Sequence, residues 1–135
     1  MPHLTSTEIA GRIETLYGAP LAELESYVRN QPPGMLSALL GMHADVALAE
    51  RGIDLYREQL ARFVHPERQI SRHEVSHLLD GARRLAEAVA VRDVQAKSAT
   101  AVLHSLARLP APAPTTSSPS PTAPPRPAES TVRSR

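Results

Sequence analysis

The sequence predicts an all-α protein: a long antiparallel helical hairpin of coiled-coil type, two short helices ahead of it and a disordered C-terminal tail. Three observations carry that prediction. Met35, Leu39, Met42, Val46, Ala49, Ile53, Tyr56, Leu60 and Phe63 form an apolar ladder in steps of four and three residues, the spacing that keeps one helix face against a partner. Val75, Leu78, Ala82, Leu85, Val89, Ala96, Ala99, Leu103 and Leu106 repeat the beat, interrupted at Arg92. Beyond Leu109 the chain turns to Pro, Ser, Thr and Ala.

The N-terminal segment, residues 1–34, reads as two short helices. Thr5 and Glu8 have the spacing of a capping box ahead of Ile9, Ile13 and Leu16, where Thr accepts from the third backbone N–H and Glu reaches back to the cap. Gly18 is a stop signal and Pro20 a start signal for a second helix carrying Leu21, Leu24 and Val28, since Pro suits a first helical turn and Gly a helix end. Pro32-Pro33-Gly34 ends it. Too short to stand alone, both helices are expected to fold back over the open end of the hairpin, where the second long helix overhangs the first.

The hairpin spans residues 35–109. A first helix over about Met35–Val64 would be roughly 45 Å long, and a second over about Arg72–Arg108 roughly 55 Å, at 1.5 Å per residue. Pro66 breaks the first helix, and Ser71 with Glu74 forms a second capping box. The short connector makes the helices antiparallel neighbours. Folding the ladders about it places Ile53 near Ala82 and Leu85, Val46 near Val89, Leu39 near Ala96 and Ala99, and Arg92 near Asp45 for a rim ion pair.

The tail, residues 110–135, has Pro at 8 of 26 positions and cannot bury enough apolar surface to offset the entropy of ordering it. It reads as an inert terminus, a tether or a ligand for an aromatic groove.

Both long helices are apolar on more than their ladder side. Val91 and Val94 point away from the second ladder, and Leu40, Ala47, Leu48 and Leu55 lie beside or behind the first. A helix apolar on several faces is buried on several faces, so either the N-terminal helices or a second molecule covers them. Leu40, Leu48, Leu55, Val91 and Val94 are therefore the expected interface residues. The partner is a second copy of the chain or another helical protein, because so small a core gains from extra burial. The expected function is non-enzymatic: an interaction or regulatory module working through helix-to-helix association, with no cofactor.

An enzymatic alternative rests on His73-Glu74-Val75-Ser76-His77, which matches H-E-x-x-H. In that pattern two His one turn apart bind zinc and the Glu is general base to a metal-bound water. His73 and His77 would be the metal ligands and Glu74 the catalytic base of a small zinc-dependent hydrolase. Against it, the chain offers no third ligand from a second element and no strand to align a substrate, and Glu74 stands where the Ser71 capping box wants it. Asp80 shares the exposed face of the two His and makes a weaker metal set. The tetrapeptide Glu74 to His77 also fits the E-x-x-H of di-iron bundles, but those ligands project inward from mid-helix.

Composition narrows the remaining classes. The chain has no Cys, which excludes disulfides, thiolate catalysis and thiolate metal sites. Fifteen basic residues face 14 acidic ones, a balance without the basic excess that nucleic-acid binding requires. The segment Thr7–Arg29 resembles a helix-turn-helix in outline only, with Glu23 and Glu25 where a recognition helix needs basic or amide groups. No stretch is long and apolar enough to cross a membrane. The first residues lack a secretory pattern, so the expected location is cytoplasmic. An exported helical hairpin is a further alternative, although the Trp-x-Gly turn of such proteins is missing from a chain with no Trp. Arg in strong excess over Lys, with abundant Ala, suggests a GC-rich bacterial source.

Overall fold

The computed structural model describes residues 3–109, and the expectation for 110–135 lies outside them. Four helices follow in order: α1 (Ser6–Tyr17), α2 (Leu21–Arg29), α3 (Met35–Phe63) and α4 (Arg72–Arg108). No strand occurs among the described residues, and none of their helices is long and apolar enough to cross a membrane.

Local chemistry sets most helix ends. Thr5 Oγ1 accepts from the Glu8 N–H at 3.2 Å while Glu8 Oε2 accepts from the Thr5 N–H at 2.8 Å, the full capping box at the head of α1. Gly18 closes α1 in the left-handed region with φ 70°, its N–H donating to the Glu14 carbonyl at 2.8 Å. Only glycine adopts that conformation without a steric cost. Ser71 and Glu74 repeat the capping box at α4. At α3 a different device operates: Ser37 Oγ accepts from the Gly34 N–H at 2.9 Å and donates to the Gly34 carbonyl at 2.8 Å.

Two further caps come from other helices. Glu14 Oε2, in the last turns of α1, accepts from the Leu21 N–H at 3.3 Å and so caps α2. Glu50, midway along α3, accepts from the Ser6 N–H at 2.8 Å through Oε1 and from the Ser6 hydroxyl through Oε2. A carboxylate at a helix N-terminus meets otherwise unsatisfied N–H groups and the positive end of the helix dipole.

The long helices pack along each other and run antiparallel, with Leu60 against Gly81 near the connector and Gly52 against Ala88 farther along. A Cβ on Gly81 would lie 3.4 Å from Leu60 Cδ2, and one on Gly52 would lie 3.7 Å from the Ala88 Cβ. This register corrects the expected one. Gly52, beside Ile53, meets Ala88, a few positions beyond the expected Ala82 and Leu85; Ala82 is exposed and Leu85 half-buried. The rim ion pair is corrected too: Arg92 Nη2 pairs with its neighbour Asp93 at 2.9 Å, not with Asp45, and Asp93 also lies 3.6 Å from His3 Nε2.

Burial is concentrated at the end of the hairpin away from the connector. Ile9 and Ile13 of α1 and Leu24 of α2 join Leu39, Leu40, Val46, Ala96, Ala99 and Leu103 in one core. Each large aliphatic side chain buried there contributes about 1.5–3 kcal/mol. Toward the connector only α3 and α4 are present among the described residues. Leu60, Phe63, Leu78 and Leu85 are half-buried there, and Val64, Ile70 and Val75 are exposed. Met35, the first rung of the ladder and the first residue of α3, is also exposed.

Candidate functional site

The H-E-x-x-H residues occupy the first two turns of α4. His73 and His77 are exposed, with Nε2 atoms 3.4 Å apart and rings edge to face. Glu74 is engaged by the cap and the connector. Its Oε2 accepts from the Ser71 N–H at 2.9 Å and its Oε1 accepts from Arg68 Nη2 at 2.7 Å. The Ser71 N–H foremost, and then the Arg68 guanidinium, hold the Glu74 carboxyl below its usual range. A carboxylate so stabilised is a weaker base. Among the described residues no group of three or more His, Cys, Asp or Glu side chains could hold a metal ion. Beside the His pair opens a cleft of about 410 Å³ lined by Phe63, Arg68, His77, Asp80, Gly81 and Arg84 among others.

The five expected interface residues separate. Leu40 is corrected from interface to interior: it is 7% exposed and belongs to the core that α1 and α2 complete. Leu48, Leu55, Val91 and Val94 remain on the surface, at 63%, 49%, 47% and 62% exposure. At 100° per residue, Leu48 and Leu55 stand about 160° and 140° around α3 from Glu50, the residue that holds α1. On the same arithmetic Val91 stands about 160° around α4 from Asp93, which faces His3. These three therefore lie on the side of the hairpin opposite the N-terminal helices.

Leu48 and Val91 line one groove, about 380 Å³, with Asp45, Gly52, Tyr56, Arg84 and Ala88 among its walls and floor. The small residues Gly52 and Ala88 form the close approach of α3 and α4 there. Leu55 continues the stripe of Leu48 two turns on. Val94 stands about 60° around α4 from Val91, toward the Asp93 side, and does not line the groove. Asp45, Glu87 and Arg84, all lining the groove, take part in none of the ion pairs among the described residues.

The ladders alone do not disclose Gly52, Ala88 and Arg84. Gly52 was readable as a gap one place before the rung at Ile53, and Arg84 carried no periodic signal. Arg84 lines both this groove and the cleft beside the His pair, so the two form a continuous surface along one side of the hairpin. Compared with known proteins, the chain has no significant match to any family model, curated protein or solved structure.

Proposed function

We propose that this protein is a non-enzymatic helical interaction module that associates through the groove of Leu48 and Val91, forming a homodimer. The observation that carries the reading is the apolar stripe on the hairpin side opposite α1 and α2, left uncovered by the described residues. Leu48 and Val91 expose large side chains around a floor of small residues, with Leu55 exposed farther along the same helix face, and such a floor lets another helix approach closely.

Charge favours a second copy as the occupant. Along the groove, Arg84 lies toward the connector and Asp45 toward the far end, with no ion-pair partner for either among the described residues. A two-fold axis across the groove near Gly52 and Ala88 sets Arg84 of each copy against the acidic end of the other. An isologous interface needs that self-complementarity.

The test is the native mass of the full chain by light scattering across a concentration series, for the parent, Leu48→Glu and Val91→Glu. The parent should run as a dimer, and each variant as a monomer with unchanged helical circular dichroism, because both side chains are exposed. A monomeric parent at every concentration, or a dimer that tolerates both charges, would overturn the reading.

A further inference from the structure

The His pair has a geometry that neither the packing of the hairpin nor the capping of α4 requires. His73 and His77 are exposed, one helical turn apart, with ring centroids 5.0 Å apart and planes at 82°. Their Nε2 atoms approach to 3.4 Å. Two nitrogens bound to one zinc ion at about 2.0–2.1 Å, at a tetrahedral angle, stand about 3.3–3.4 Å apart. The pair thus already has the bite of a chelate, and the i, i+4 spacing on a helix holds it there.

From this the geometry points to His73 and His77 as a two-histidine site for a first-row divalent cation of the zinc or copper class. Between two neutral imidazoles at this distance, one Nε2 donates a proton and the other accepts. A divalent cation engages both Nε2 lone pairs once the donor ring passes its Nε2 proton through water to its own Nδ1, so that both imidazoles bind as neutral Nδ1–H tautomers. Imidazole nitrogen suits zinc and copper, whereas magnesium and calcium require oxygen donors. Since no third His, Asp or Glu among the described residues joins the pair, water fills the remaining positions.

Nothing in the proposal uses Glu74 as a base. Its carboxylate stays with the Ser71 N–H and Arg68, so the site binds metal without the hydrolytic arrangement that the five-residue motif suggests. It is also independent of the dimer, because Leu48 and Val91 take no part in it.

The experiment is calorimetric titration of the full chain with zinc sulfate in a non-coordinating buffer, repeated with magnesium. All six His of the sequence are candidate ligands, so the variants are His73→Ala, His77→Ala and, as a control at the other end of α4, His104→Ala. The expected result is one zinc per chain and no magnesium binding. Removing either proposed ligand should weaken zinc by at least about tenfold, the low end of what losing even an outer-shell partner costs. His104→Ala should bind as the parent does. Half a zinc per chain with the same losses would also support the site, with the pairs of two molecules meeting tip to tip on one ion, a contact distinct from the groove dimer. Zinc binding that survives His77→Ala, or is absent from the parent, would overturn it. Should an alanine variant lose helical circular dichroism, His77→Gln, which keeps a long polar side chain, replaces it in the same comparison.

Discussion

Glu50 on α3 holds the first turn of α1 through Ser6, 44 positions earlier in the chain, with the Ser6 N–H donating to Glu50 Oε1 at 2.8 Å. Thr5 already satisfies the Glu8 N–H, so the Glu50 carboxylate supplies an acceptor that the local capping box cannot. Replacing it with Ala should lower stability by about 1–2 kcal/mol, the range for a lost helix cap. Glu50→Gln, which keeps one acceptor, should cost less. Urea unfolding of both variants checks the order, and an order reversed would mean that charge repulsion, not capping, dominates at this position.

Charge reversal probes the proposed pairing across the groove. Arg84→Glu should weaken the homodimer by placing like charges across the two-fold axis, and Asp45→Arg should do the same. The double variant should recover affinity toward that of the parent, since it exchanges the signs and preserves the complementarity. Dilution series by analytical ultracentrifugation would read this, and double-variant losses that simply add would disprove contact between the two charges.

Two glycines in or next to α1 should respond in opposite directions. Gly11 is a helix-interior residue, and a Cβ there meets nothing within 4 Å. Gly11→Ala should therefore raise stability by roughly 0.5–1 kcal/mol. Gly18 has φ 70°, and Gly18→Ala should lower stability by about 1 kcal/mol through the left-handed conformation it forces on alanine. Thermal unfolding of the pair distinguishes the two directions directly.

Acid should act on the head of α1. Foremost the Thr5 N–H, and then its hydroxyl, hold the Glu8 carboxyl below its usual range in the folded chain. The unfolded chain thus binds a proton first as pH falls. The stability contributed by Glu8 is complete above its ordinary carboxyl range and is lost as pH falls through the depressed folded value. Glu8→Gln should be less stable at neutral pH and should show a smaller loss on acidification. Urea midpoints measured from neutral pH to pH about 3 check this, and identical acid slopes for parent and variant would contradict it.

What was legible in the residues was local. The capping boxes at Thr5 and Ser71, the stop at Gly18 and the span of α4 all follow from groups within a few positions of each other, and the structure has them as expected. The packing of α1 and α2 on the hairpin also followed, because short amphipathic helices need a surface. What required the third dimension was partner choice. Leu40 is apolar in the same way as Leu48, and only the position of α1 and α2 decides that one is core and the other surface. Arg92 had Asp45 across the seam and Asp93 beside it, and took the neighbour, which needs no rotamer reaching across the helix. The two His could be read as a pair, but not the distance between their nitrogens. Nor does the motif reveal Arg68 as the partner of Glu74, since Arg68 lies in the connector.

The uneven burial along the hairpin makes the molecule a tuning fork clamped at one end. Ile9, Ile13, Leu39 and Val46 form the clamp, while the prongs near the connector rest on half-buried contacts such as Leu60 with Gly81. Local opening follows apolar contact density, so opening the tip should cost less than opening the clamp. Whatever binds at the tip, where His73 and His77 stand, acts first on the tip's own order, and a signal from it reaches the far end only as far as α3 and α4 stay rigid between.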